Sequence, residues 1–361
     1  MNNGTNKNIG IVTLWGNFNY GNRLQNLAIV KLVKDRGYNP ITIICKKGIV
    51  PTILHKVKQV LLFWKPINQR AFLFDEFNDE YIPHKTYYSY RSILRDKKLS
   101  KYTCFIVGSD QVWNPELHPM LRDFFFLRFT SRSKRVSLSP SFGVYHLSSE
   151  HEPVYKKLIS DIEFLSCREK AGTDEIIRLT GRKCTQLIDP TLAISSDEWR
   201  SMISNRPIPE KSYCLCFFLG NLPSALQHRI EEFAVKNNCI IINMQKQNDP
   251  YYVSDPLDLV RVIDNATMVF TDSFHALALS INLNTPFYVF DRMSEDENGR
   301  MTSRIHSITQ QLLFEKRYIR NLKRKYEFET TCDFSKANEI LHDLRVIFYN
   351  YIDSIFKYYE S

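Results

Sequence analysis

Between Lys7 and Cys45 the chain changes its hydrophobic period twice, and that change restricts its fold more than any other feature. Lys7–Thr13 is a short apolar, β-branched run of the kind a buried strand uses. A turn-rich stretch from Trp15 to Asn22 follows. Residues 23–36 then carry apolar side chains at 24, 27, 28 and 32 and end at Gly37, a usual helix-stop residue. Ile41–Cys45 is β-branched again. Strand, helix and strand at this spacing make one βαβ unit of a Rossmann-like sheet.

The alternation continues. Strands are expected at Cys104–Val107, Arg135–Leu138, Phe164–Cys167 and Thr185–Ile188, with a helix near Lys170–Thr180. Around 189–211 the pattern loosens and prolines fall at 190, 207 and 209, the composition of a linker. Beyond it, strands at Tyr213–Leu219, Cys239–Asn243, Met268–Thr271 and Phe287–Phe290 alternate with helices at Ala225–Asn237, Asp258–Asp264 and Ser273–Ile281. Strands alternating with helices on both sides of a linker predict an α/β chain of two doubly wound, Rossmann-like domains, residues 1–200 and 212–334. A last amphipathic helix over 335–361 is expected to cross back to the first domain.

Composition fits a folded globular protein: of 361 residues, 43% are hydrophobic and 24% charged. No run approaches the ~18 apolar residues of a membrane span, and the first residues lack an apolar signal region, so cytoplasmic residence is the expectation. The formal charge of +9 is dispersed in short clusters such as Lys316-Arg317. No nucleic-acid-binding motif accompanies it, so no nucleic-acid partner is expected. Eight scattered cysteines form no CxxC pair, which predicts reduced, mostly buried thiols and no metal site.

Four segments place polar residues where a strand runs into a turn, the position at which open α/β sheets bind ligands. In MVFTDSFHALALS, Asp272 or Ser273 caps a helix and His275 lands in its first turn. Free backbone N–H groups and the helix dipole favour an anion there, and a histidine can also move a proton near neutral pH. In FLSCREKAG, Arg168 follows a strand and could capture a carboxylate or phosphate in bidentate fashion, or be a solvated charge. In IVGSDQVWNP, Asp110 and Gln111 sit at a strand tip, and Trp113 could stack on a sugar or anchor the turn from inside. GNFNYGNR departs from GxGxxG; its Asn17, Asn19 and Asn22 read as an amide-rich surface for hydroxyls or as a simple turn. Arg304, in Thr302-Ser303-Arg304, reads as a surface charge unless it serves an anion.

In this order, GNFNYGNRLQN, VGSDQVWNP, SPSFG, SCREKAG with DPTL, and TDSFHALALS resemble the polysaccharide pyruvyltransferase family over roughly residues 8–345. The resemblance implies a GT-B-like pair of domains facing across a cleft, the first on the acceptor side and the second on the donor side. It implies transfer of the enolpyruvyl unit of phosphoenolpyruvate to two hydroxyls of one sugar as a ketal, with release of phosphate and with no cofactor beyond that co-substrate. Arg168 and His275 match family positions that contact the donor: Arg168 would hold its carboxylate or phosphate, with the helix start at Ser273 taking the other anion. His275 would be the general acid, protonating either the enol methylene or the leaving phosphate, and Asp110 or Asp272 the base for the sugar hydroxyl.

Two residues depart from the pattern. Ser273 stands where some members have arginine, which assigns the missing clamp to Arg304 or Arg292, and Ala276 stands where many have glycine. Acceptors of such enzymes belong to capsule, exopolysaccharide or cell-wall polysaccharide synthesis in bacteria and are often lipid-linked. HKVKQVLLFWKPINQR, with Lys56, Lys58 and Lys65 flanking Val60–Trp64, fits peripheral contact with an anionic membrane as well as a helix packed on its own domain. Two rival functions share the expected fold: a glycosyltransferase using a nucleotide sugar, and a non-catalytic sugar-binding component of a polysaccharide assembly complex.

Overall fold

The computed structural model describes residues 7–15, 18–46, 53, 60–117, 119–203, 206–292, 302–322 and 327–361, with backbone alone at 302 and 303. It divides into two compact units, one of residues 1–63, 75–193 and 344–361 and the other of residues 64–74 and 194–343.

In the first unit, strands β1 (Asn8–Val12), β2 (Asn39–Cys45), β3 (His84–Tyr87), β4 (Cys104–Val107) and β5 (Arg135–Ser137) form a parallel sheet in the order β3-β2-β1-β4-β5. The short strands β6 (Ser166–Cys167) and β7 (Thr185–Gln186) pair with each other, also in parallel. The chain winds outward from β1 to β3, then returns to β1's other side for β4 and β5. Because such crossovers are right-handed, the reversal places the connecting helices on opposite faces of the sheet. It also opens a crevice between β1 and β4, the topological switch point.

The second unit repeats this plan. Strands β8 (Tyr213–Phe217), β9 (Ile240–Ile242), β10 (Met268–Thr271), β11 (Phe287–Phe290) and β12 (Tyr318–Ile319) are parallel in the order β12-β11-β10-β8-β9, and the switch point lies between β8 and β10. Two Rossmann-like sheets in one α/β chain are what the alternation predicted. The short strands β3 and β12 were not predicted. The first (HKTY) has no apolar run and the second is two residues long, and each pairs because a longer neighbour has an open edge.

The unit break falls after Ala193, inside the proline-bearing linker expected over 189–211. Residues 64–74, which the sequence reading placed with the first domain, belong to the second unit. Arg70 accounts for this, lying 4.8 Å from the Tyr252 ring centroid and donating to the Met244 carbonyl. The helix Ser335–Glu360 gives its residues from 344 onward to the first unit, where Tyr349 donates to the Ala193 carbonyl and Phe356 stacks on Tyr38. All eight cysteines are free, and burial pushes the Cys216 thiol up to about 12. Among the described residues no helix is long and apolar enough to cross a membrane.

Candidate functional site

Both switch points are closed by hydrogen bonds that use the predicted site residues. In the first unit β4 runs out into Gly108 with φ 131°, where a Cβ would run into the Leu138 carbonyl oxygen, so only glycine fits. The chain then turns through Asp110, in the left-handed region at φ 65°. From the far side of the crevice, Asn22 donates to Asp110 Oδ2 at 2.5 Å. Gln25 ties the same loops together by accepting from the Ser109 N–H at 2.9 Å and donating to Thr13. Asn19 caps the helix Tyr20–Lys34 by accepting from the Asn22 N–H at 3.0 Å, so its amide oxygen serves the backbone. Asn17 lies outside the described residues.

Arg168 comes into this cluster, but not as an open clamp. Its side chain is buried; Nη1 donates to Asp189 at 2.7 Å, Nε donates to Glu169 at 3.0 Å, and Nη2 lies 3.8 Å from Asp110. Burial works against its charge, yet Glu169, Asp189 and Asp110 together outweigh that and hold the guanidinium above its ordinary range. Nε and Nη1 are thus already engaged and cannot grip an incoming carboxylate as an open fork. The expectation of a free donor clamp is therefore corrected: Arg168 holds three acidic side chains in place, Asp110 among them.

Asp189, the first residue of DPTL, went unselected as a site residue. It accepts from Ser109 Oγ and Arg168 through one oxygen and from the Thr191 N–H and hydroxyl through the other. Its signal was a carboxylate directly after the Thr185–Ile188 run, the same strand-end position as Asp110.

Trp113 also requires correction. It is fully buried, stacked on Phe126 at 5.1 Å, and its indole N–H donates to the Phe125 carbonyl, so it anchors the turn from inside and offers no face to a sugar. Gln111 is buried beside it and accepts from the Asn114 side-chain amide at 3.2 Å.

In the second unit β10 ends at Thr271 and, with two residues between, the helix Phe274–Leu283 begins, buried along its whole length. Ser273 is its N-cap. Asp272 accepts from the backbone N–H groups of Leu219 and Gly220 at 2.7 and 2.8 Å, joining the ends of β10 and β8 across the switch point. With both oxygens so used and Arg292 Nε 3.5 Å away, Asp272 positions the loop and is a poor candidate base. His275 occupies the first helical turn and is buried, its ring edge-on to Phe274. Arg304, read from sequence as a surface charge unless it serves an anion, is buried with its guanidinium 5.6 Å from the Phe274 ring centroid, which rules out the surface charge. One turn thus gathers a helix N-terminus, a histidine and two guanidinium groups, an arrangement that favours an anion.

The family model described as polysaccharide pyruvyl transferase matches residues 19–294, which include the turns bearing Asp110, Arg168, Asp189 and Asp272. The chain belongs to that family.

As a polysaccharide pyruvyl transferase family member it is a transferase whose family points to a sugar or polysaccharide acceptor. Among curated proteins none matches its sequence significantly. Among solved structures it is similar to a putative UDP-N-acetylglucosamine 2-epimerase from Listeria monocytogenes (TM-score 0.49, 9% identity, 92% of this chain and 95% of that one). It is also similar to a UDP-N-acetylglucosamine 2-epimerase from Rickettsia bellii (TM-score 0.46, 10% identity, 96% and 97%) and a glycosyltransferase from Rickettsia africae (TM-score 0.44, 10% identity, 98% and 98%). These likenesses are distant, and the assignment of this pyruvyl transferase rests on the family match.

Proposed function

We propose that the chain transfers the enolpyruvyl unit of phosphoenolpyruvate to two hydroxyls of one sugar, forming a pyruvate ketal and releasing inorganic phosphate. The observation that carries this reading is His275 in the first turn of the helix Phe274–Leu283, with the Arg292 and Arg304 guanidinium groups brought against Asp272 and Phe274 beside it. A donor with a carboxylate and a phosphate needs two anion sites, and here the Arg292 and Arg304 guanidinium groups lie beside the positive end of a helix dipole.

In the proposed reaction His275 protonates the methylene carbon of the donor, leaving an oxocarbenium-like carbon that the two hydroxyl oxygens attack in turn. The carbon–oxygen bond to phosphate breaks. Of the two hydroxyl protons, one restores the acid and the other leaves with phosphate. A positioned acid of this kind contributes about 10²–10⁴-fold. Asp110, oriented by Asn22 and Arg168, is the base we assign to a sugar hydroxyl. The chemistry as written asks for no cofactor beyond phosphoenolpyruvate.

The acceptor we assign is a sugar of bacterial capsule, exopolysaccharide or cell-wall synthesis carried on a lipid, met by a cytoplasmic protein in peripheral contact with an anionic membrane. Val60, Leu61 and Trp64, exposed at 74%, 73% and 70% beside Lys65, support that contact; Lys56 and Lys58 lie outside the described residues. Phosphate release from phosphoenolpyruvate that depends on an acceptor glycan, and is lost in His275→Ala, tests the reading. Release independent of any glycan, or unchanged in the variant, removes it.

A further inference from the structure

The first unit contains a cavity of about 190 Å³ at the ends of β2 and β3, outside the Asp110–Arg168 cluster. Trp15, Lys46, Asp75, Asn78, Asp79 and Tyr88 are among its lining. The volume is below the ~300–1,000 Å³ of pockets for drug-sized ligands, so it admits one ring-sized group and not an oligosaccharide.

Two buried polar groups, Asn78 in its lining and Arg23 behind Trp15, distinguish this cavity from an incidental surface hollow. Asn78 is 3% exposed, and its side-chain oxygen accepts no hydrogen bond from a described residue. Arg23 is buried behind Trp15, its guanidinium carbon 4.0 Å from the indole centroid, and its Nε and Nη1 donate to no described residue. Burial lowers the Arg23 pKa to about 10 against the pull of the Asp75 carboxylate. Buried polar groups nearly always find partners, and a site built to hydrogen-bond a ligand is where they are left open.

The rest of the lining selects among ligands. The cation on one side of Trp15 fixes its plane, while the tilted His84 ring lies 5.4 Å from it. Asp75 and Asp79 are exposed at the rim and accept hydrogen bonds only when ionised, which suits hydroxyl donors. Lys46 and the Arg23 guanidinium behind Trp15 balance the Asp75 and Asp79 carboxylates, so no excess charge draws in an ion and an uncharged group suits the cavity.

We infer that this cavity binds one uncharged sugar ring, held by Asn78, Asp75 and Asp79 against Trp15, as the terminal residue of the acceptor. Its identification with the acceptor rests on the pyruvyl-transfer reading; its affinity for a sugar does not.

The test is saturation-transfer NMR and calorimetry on the full chain with methyl glycosides of the common hexoses and their N-acetylamino forms, and with glucuronate and inorganic phosphate as anionic probes. At least one neutral glycoside should bind saturably, and binding should weaken 10-fold or more in Asp79→Asn and Tyr88→Ala, exposed positions whose replacement spares the core, and in Asn78→Ala. Phosphoenolpyruvate-induced stabilisation is measured on the same samples. Neutral glycoside binding without that stabilisation keeps the sugar site and removes the pyruvyl-transfer reading. Stabilisation with no glycoside binding, binding unaffected by all three substitutions, or preferential binding of glucuronate or phosphate overturns the inference.

Discussion

Arg168 donates to Asp189 at 2.7 Å, with side chains only 3% and 0% exposed, so the arginine that the family resemblance sets against the donor is one half of a buried ion pair. Removing one partner of such a pair leaves an uncompensated buried charge, which typically costs about 3–5 kcal/mol. Arg168→Ala should therefore lose stability of that order in urea unfolding with no ligand present. A variant as stable as the parent would return Arg168 to the role of an open clamp.

Asp272 makes a second, milder prediction. Asp272→Ala strands the N–H groups of Leu219 and Gly220, which the carboxylate holds at 2.7 and 2.8 Å. The expected loss is about 1–3 kcal/mol by chemical unfolding, since a donor left unsatisfied costs its desolvation. Asp272→Asn should recover part of this. If catalysis vanished in Asp272→Asn at unchanged stability, Asp272 would be a base after all.

The pH dependence of stability has a local reporter in Asp96. It accepts from Lys85 Nζ, the Tyr87 hydroxyl and the Lys98 N–H, and these bonds lower its pKa to about 2. The folded value lies below the ~3.9 of an unfolded aspartate, so the contribution is complete above that pH and is lost as pH falls through about 2. The difference in unfolding midpoint between parent and Asp96→Asn should be largest at pH 5 and above and shrink steadily toward pH 2. A difference constant across that range would mean the bonds do not depend on the charge.

The fold was legible because both sheets announce themselves by period: Cys104–Val107, Met268–Thr271 and Phe287–Phe290 are strands over the same residues that sequence indicated. The helix Pro66–Tyr81 was not, because its apolar residues are spread around it and its halves belong to different units. Among site residues, Asp110, Asn22 and Arg168 were recognisable as strand-end polar groups, and they do meet. Their partners were not readable, since Asp189 reaches Arg168 across 21 positions and only the fold sets that distance. Trp113 misled because an indole suits a sugar face and a core equally, and burial alone decides. Arg23 and Trp15 form a contact that no motif signals.

Peripheral membrane contact predicts co-sedimentation with anionic liposomes at low salt that fades as salt is raised, because screening shortens the reach of Lys65 and the net charge of +9. Leu61→Ser with Trp64→Ser should release most of the bound protein, both side chains being largely exposed. Absence of co-sedimentation at low salt would remove the membrane from the account.

The central claim is that phosphoenolpyruvate is the donor and binds at the turn bearing His275. Thermal unfolding with phosphoenolpyruvate, and separately with a panel of nucleotide sugars, tests it most directly on the parent, His275→Ala and Arg304→Ala. A ligand at about 100 times its dissociation constant adds ~2.7 kcal/mol to the folded state. The account predicts stabilisation by phosphoenolpyruvate alone, reduced in both variants and most in Arg304→Ala. Stabilisation by a nucleotide sugar, with none by phosphoenolpyruvate, would contradict it and make the chain a glycosyl transferase.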